Sequence, residues 1–266
     1  MPRAENITSA SNPLLKEVRR AVVRGSLTSE GLCVAESFHL LEEALRSDRE
    51  VRTVLAAESV RSAVETHVRK LAGLRMAVLP DSLFHAVAGT ENSQGVIALV
   101  RPPEWKVEQL FRGTSLVVVL DGVQDPGNVG AICRAAEAFG ATGALFVKGS
   151  ASPFNPKALR GSAGSLFRVP FVHGVDPALA RAALCQHKLE IWAGVPRRAG
   201  ARRLEEADLT RKCAFIIGSE GRGVSEALRG AAMDLYVPTV GVESLNAAMA
   251  AGILLYEARR QRSRET

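Results

Sequence analysis

Residues 115–120 read SLVVVL, an almost unbroken aliphatic run with no polar alternation. Such a strand is buried on both faces, which requires helices on both sides of a parallel sheet. The residues after it obey that constraint. Further apolar runs predict strands at 143–147, 190–193, 213–217 and 235–238, with helices between them at 128–139, 156–159, 177–187 and 224–231. A long Ala-rich helix after Ser244 closes the region. Strands alternating with helices predict an α/β domain with a mostly parallel sheet.

The front of the chain carries its own alternation. Helices are expected at 12–24, 36–46, 59–71 and 81–87, and strands at 32–35, 51–57, 75–79 and 95–100. They predict a smaller α/β unit, a three-layer sandwich with a largely parallel sheet. Pro102 and Pro103 then impose an extended, semi-rigid backbone. The expected domains are therefore residues 1–107 and 108–266.

At 266 residues, 47% apolar and 23% charged, both parts can build cores. No apolar run reaches the roughly 18 residues of a membrane span, and the first twenty residues lack the apolar centre of a signal peptide. A cytoplasmic protein is expected. The four cysteines and five histidines show no metal-ligand spacing, so no metal is expected. The net charge of +6 suggests a polyanionic partner. Its clusters are Lys16/Arg19/Arg20/Arg24, Arg69/Lys70 with Arg75, and Arg197/Arg198/Arg202/Arg203.

Three stretches carry chemistry. Residues 121–140 (DGVQDPGNVGAICRAAEAFG) offer Asp125 as a helix cap and Pro126 as the first helical residue. Val129, Ile132, Ala135, Ala136 and Phe139 form the apolar stripe, with Asn128 and Arg134 off it. Arg134 is also spaced for an ion pair with Glu137. Residues 215–224 (FIIGSEGRGV) end a strand in a glycine-rich loop, but lack both the GK[ST] of a P-loop and the GxGxxG spacing. Glu220 there favours a neutral or cationic ligand part over phosphate. Residues 236–260 place Ser244 as an expected N-cap, Asn246 beside it, and Leu245, Met249, Ile253 and Tyr256 as a helical stripe.

Taken together, the order and spacing of these stretches resemble the SpoU (TrmH-type) branch of the SPOUT methyltransferases. The resemblance rests on DxxxDPGNxGxxxRxAxxFG at 121–140, IGSEGxG at 217–223 and VP…SLNAAMAAGIxLYE at 237–257. More loosely, residues 5–100 resemble the substrate-binding domain that precedes many members and is related to a ribosomal RNA-binding protein, through ITSxxNPLLKEV, ESFHLLEEAL and QGVIALV. Members often show a basic stretch and Glu-Gly before the second helix, where this chain reads LCVAES.

The resemblance implies a trefoil-knotted catalytic domain acting as a homodimer, its active site drawing on both subunits. It implies methyl transfer from S-adenosylmethionine to a ribose 2′-hydroxyl of RNA, most of all large-subunit (23S) rRNA. The cofactor would lie against Ile217, Gly218, Gly221, Val237, Pro238, Ser244 and Leu245. Arg134 would carry the central catalytic role, with Asn128 orienting it or the ribose, Ser244 and Asn246 holding loop and substrate, and Glu220 fixing its motif through backbone N–H groups. Lys16, Arg19 and Arg20 would meet RNA phosphates. A tRNA enzyme, a resistance methylase acting on rRNA and a non-catalytic RNA-binding or ribosome-assembly protein remain as alternatives.

Overall fold

A computed structural model of the chain describes residues 3–69, 71 and 73–263. Lys70 of the second basic cluster, and the chain ends included in the expected domain ranges, lie outside the described residues. Two compact units form, Met1–Pro103 with Phe154–Phe167, and Glu104–Pro153 with Arg168–Thr266.

The first unit runs β1 (Arg3–Asn6), α1 (Pro13–Arg24), β2 (Cys33–Glu36), α2 (Phe38–Arg46), β3 (Val51–Ala57), α3 (Arg61–Val68), β4 (Arg75–Leu79), α4 (Asp81–His85) and β5 (Val96–Val100). Its sheet order is β1-β4-β3-β5-β2. Asn12 caps α1 by accepting from the Leu14 N–H at 2.9 Å, and Pro13 follows it. Gly25, at φ 59°, ends the helix in the left-handed conformation that glycine adopts without strain. Leu15, Val18 and Ala21 face the core with Leu55, Ile97 and Phe84. Each such leucine or phenylalanine contributes about 1.5–3 kcal/mol by leaving water.

This sheet is mixed, not largely parallel. β5 runs antiparallel to both β3 and β2. The short α4 does not carry the chain back across the sheet. The chain re-enters at the edge where β3 and β4 end, with Ala56 opposite Val96. The edge strand β1 had no signal, since RAEN has neither β-branched residues nor alternation. The expected helix at 59–71 is a 3₁₀ turn over Glu58–Val60 followed by α3.

Glu36 ends β2 at 2% exposure, and its carboxylate is fully engaged. Oε2 accepts from Gly89 N–H at 3.0 Å and Arg160 Nη1 at 3.1 Å, and Oε1 from Thr90 Oγ at 2.5 Å. Ser37 follows at φ 146°, ψ 158°, a region that suits glycine, while its hydroxyl caps α2 by accepting from Leu40 N–H.

The second unit comprises β6 (Leu116–Asp121), α5 (Pro126–Ala138), β7 (Gly143–Val147), β8 (Phe171–Val175), α7 (Pro177–Gln186), β9 (Glu190–Gly194), β10 (Arg202–Arg203), β11 (Cys213–Gly218), α8 (Glu226–Arg229), β12 (Met233–Tyr236) and α9 (Ala247–Arg262). The intervening α6 (Pro156–Ser162) belongs to the first unit, so a stretch inside the second expected range packs with the first. The order β10-β12-β9-β11-β6-β7-β8 is parallel throughout, and every residue of β6 is buried. β8 and β10 were not foreseen. β8 is an edge strand exposing His173 and Gly174, and β10 is two arginines.

The stripe expected on α9 is not its buried face. Met249 and Tyr256 are 58% and 53% exposed, while Ala247, Ala251, Leu254, Leu255 and Ala258 are buried. α9 packs closely against α5, and small side chains allow that approach. At its far end Arg262 donates to four carbonyls: Leu209 (2.9 Å), Thr114 (2.8 Å), Arg211 (2.6 Å) and Ser115 (3.3 Å).

Candidate active site

Parallel pairing brings the carboxyl ends of β6, β11, β9 and β12 to one edge of the second sheet, where open α/β sheets bind ligands. The loop after β11 is shaped by its own backbone. A Cβ on Gly218 would lie 2.2 Å from the Gly223 carbonyl carbon and 2.4 Å from Val224 N, so only hydrogen fits. Ser219 and Gly223 exchange both backbone hydrogen bonds (3.1 and 2.8 Å), and Gly223 takes φ 67°. The buried Asp121 carboxylate, at the end of β6, accepts from Ser225 N–H at 2.6 Å and anchors the far side of the loop. That anchor was missed; its signal is an acid ending an apolar strand.

Asp125 caps α5 by accepting from Asn128 N–H at 2.9 Å, with Pro126 first in the helix, as expected. Asn128 Nδ2 donates to Glu220 Oε1 at 2.9 Å, and Asn246 Nδ2 donates to Asn128 Oδ1 at 3.0 Å. Asn246 Oδ1 accepts from Ala248 and Met249 N–H at 2.9 and 3.3 Å. The helix amides fix the Asn246 amide, which fixes Asn128, which in turn presents its N–H to the Glu220 carboxylate. Three side chains from three motifs thus form one directed chain of hydrogen bonds.

Several expectations change here. Asn246, not Ser244, is the N-cap of α9, because its amide oxygen already takes the first-turn donors; Ser244 faces a cavity instead. Glu220 is held by the Asn128 side chain rather than by backbone N–H groups. Arg134 does not pair with Glu137, whose carboxylate is gripped by Arg168 at 2.5 and 3.0 Å. Arg134 is exposed, with no hydrogen bond or ion pair among the described residues, and Asn128 bonds instead to Glu220 and Asn246. Six residues apart, the two point about 120° from each other around α5. The adjoining Cys133 is buried and its thiol is pushed up to about 12 by burial, so it stays protonated and takes no nucleophilic part.

A cavity of about 340 Å³ opens beside the network. Ile217, Gly218, Gly221, Val237, Ser244 and Leu245 line it; Pro238 is exposed outside that lining. The sequence reading missed Gly194–Pro196, Leu235, Thr239, Glu243, Ala250 and Leu254, which also line it. β12 ends at Tyr236, before the proline that offers no N–H, which frees Val237 for the wall. A second hollow of about 240 Å³, lined by Gln124, Asp125, Asn128 and Arg222, shares Gly218–Gly221 with the first. Glu220 therefore borders both. Among the described residues no group of three His, Cys, Asp or Glu could hold a metal ion. Lys16, Arg19 and Arg20 belong to the first unit, exposed on α1, where Arg20 pairs with Glu17.

Comparison with known proteins matches this arrangement. The family model of the SpoU rRNA methylases covers residues 115–256, and that of the MRM3-like substrate-binding domain covers residues 12–98. The 23S rRNA (guanosine(2553)-2′-O)-methyltransferase RlmP of Bacillus subtilis is 34% identical over 259 residues, 96% of this chain and 99% of that protein. A crystal structure of an AdoMet-bound rRNA methyltransferase from Sinorhizobium meliloti superposes with a TM-score of 0.82 at 25% identity, covering 97% of this chain and 98% of that one. The SpoU methyltransferase AviRb from Streptomyces viridochromogenes, solved with AdoMet, gives 0.81 at 26% identity, covering 95% and 100%. The glycine loop, the asparagine–glutamate chain and the cavity thus sit in a fold shared along nearly the whole length, and this chain belongs to the SpoU rRNA methylase family, with an MRM3-like substrate-binding domain ahead of its methylase domain.

Proposed function

We propose that this chain transfers a methyl group from S-adenosylmethionine to a ribose 2′-hydroxyl of RNA, with large-subunit (23S) rRNA as its substrate. The observation that carries the reading is the Asn246–Asn128–Glu220 chain at the shared border of two hollows, one suited to a cofactor and one to a reacting group. The larger hollow is of small-molecule size. Its wall combines close-approaching backbone at Gly218, apolar Leu235, Ala250 and Leu254, and the carboxylates of Glu220 and Glu243, without Lys or Arg. That suits an adenosine and a cationic sulfonium. When bound there, the cofactor supplies a methyl group on positive sulfur.

The protein's part is positioning and charge. Asn128 and Glu220 hold a ribose at the border of the two hollows. A guanidinium keeps its proton, so Arg134 stabilises the developing alkoxide and grips the adjacent phosphate, while the hydroxyl proton leaves to water or that phosphate. Its exposure and freedom from partners support that role. Its separation from Asn128 supports a homodimer in which Arg134 serves the partner's cavity. Exposed Met249, Tyr256, Val240 and Val242 are apolar surface available for such an interface. Lys16, Arg19 and Arg20 supply phosphate contacts from the substrate-binding domain. No helix among the described residues is long and apolar enough to cross a membrane. The proposed rRNA substrate, rather than that absence, is the ground for a cytoplasmic enzyme.

The test is transfer of labelled methyl from S-adenosylmethionine to protein-free 23S rRNA, wild type beside Arg134→Ala. Label in rRNA with wild type, falling about a hundred- to a thousandfold in the variant while cofactor affinity is kept, is expected. Full activity in the variant would remove Arg134 from the chemistry. Failure of the wild type to bind cofactor at all would favour the non-catalytic RNA-binding alternative.

A further inference from the structure

The arginine-rich segment after β9 takes no part in the chemistry proposed for the two hollows. Gly194, Val195 and Pro196 line the larger cavity, and Arg197 and Arg198 come next. The segment ends in β10, where Arg202 and Arg203 pair in register with Leu235 and Tyr236 of β12, Leu235 being a cavity residue itself. Arginines thus extend outward from the cavity wall.

Their charge exceeds what the fold uses. Arg198 and Arg229 both approach the single carboxylate of Asp234: Arg198 hydrogen-bonds Oδ2, and Arg229 Nη2 lies 3.7 Å from Oδ1, which has no hydrogen bond. Desolvation, reinforced by the like charge of Arg229, lowers the Arg198 pKa from its ordinary value, so holding these guanidiniums together opposes their own charge. Arg202 lies over the buried Trp192 ring, its carbon 5.5 Å from the centroid. Arg203 has only a 3.5 Å contact to the exposed Glu205, and Arg197 is exposed with no partner among the described residues. Arg181 reaches the same neighbourhood beside Gly230 at the end of α8. Asp234 anchors two of the guanidiniums, Glu205 and the Trp192 ring lie beside Arg203 and Arg202, and Arg197 faces water.

We propose that the 197–203 segment, seated by Arg198 and Arg229 on Asp234, is a phosphate-binding arm of the catalytic unit that grips the RNA backbone flanking the nucleotide presented to the cavity. The inference rests on the proposed RNA substrate. Guanidiniums suit phosphodiesters because they offer paired N–H groups and shed water more readily than ammonium. The contacts position the strand and carry no sequence preference. The competing anion is the carboxylate of the cofactor, which the cavity would also bring near the segment.

The test compares full-length wild type with Arg197→Ala/Arg203→Ala, two exposed positions whose loss leaves Asp234 and Trp192 covered. Binding to a protein-free 23S rRNA transcript is measured from 50 to 300 mM KCl, alongside S-adenosylmethionine affinity and steady-state kinetics. The arm predicts RNA affinity falling about tenfold at 0.1 M salt, and a log–log salt slope shallower by about 0.7–0.9 per arginine removed. KM for RNA rises, while kcat and cofactor affinity hold. Unchanged RNA affinity and slope overturn the proposal, and so does weakened cofactor binding with an unchanged slope. Loss of RNA binding in a protein whose wild type transfers no methyl would keep the arm and sink the methyltransferase reading. Methyl transfer with an indifferent double variant would do the reverse.

Discussion

Glu36, the last residue of a strand, and Glu220, two residues past the end of another, are both carboxylates joining segments far apart in sequence, yet their surroundings differ. Glu36 is sealed at 2% exposure with both oxygens engaged by Gly89, Thr90 and Arg160. Glu220 is exposed, accepts from Asn128 alone among the described residues, and borders two hollows. A closed, fully satisfied carboxylate spends its hydrogen-bonding capacity on the fold. An open one with spare acceptor sites keeps capacity for something not yet bound. The two carboxylates therefore separate by whether their hydrogen bonding is complete.

Breaking the closed network should cost most. Glu36→Ala strands the Arg160 charge and two donors, and a loss of about 3–5 kcal/mol is expected in denaturant unfolding; a loss under 1 kcal/mol would mean the network contributes little. Breaking the open one should leave stability nearly untouched and strike turnover. Asn128→Ala is expected to lower methyl transfer about a hundredfold, with a melting temperature within about 4 °C of wild type. Unfolding instead would make that network structural as well. Arg262→Ala removes four carbonyl contacts, and about 2 kcal/mol of stability should go with them, measured by the same unfolding series. Ser37→Gly sharpens the contrast from the other side. It relieves a glycine-type backbone at the cost of a weak cap, so a gain of about 1 kcal/mol is expected; a loss would show that the hydroxyl outweighs the strain.

Legibility followed how local the physics is. The β6 run, the Asp125–Pro126 start of α5 and the Asn12–Pro13 start of α1 depend on neighbours in sequence and were readable. Asn246 displaced Ser244 as cap because the choice depends on which side chain the preceding loop delivers to the helix amides. The buried face of α9 was misjudged because alanine, pressed against α5, buries more completely than the larger Met249 and Tyr256. The mixed first sheet, and the packing of Phe154–Phe167 with that unit, are settled by distant partners such as Glu36 and Arg160. The same holds for the directed link from Asn246 through Asn128 to Glu220. Its three residues were each singled out, but their connection exists only once three loops meet. Ser37 gave a hint in advance, standing where the family resemblance leads one to expect the glycine of Glu-Gly, and its backbone takes a conformation that suits glycine.

Helix ends ordinarily fray, opening and closing faster than the body of the helix and exchanging their amide hydrogens first. The last turn of α9 is bolted by Arg262 to carbonyls at residues 114, 115, 209 and 211. To loosen, it must release several charged hydrogen bonds together. Amide exchange along α9 should therefore run against the usual gradient, slow at the Arg262 end and fast near Asn246, where the helix meets the open hollows. Whatever gives way when a substrate enters, α9 is built to yield at its beginning and hold at its end.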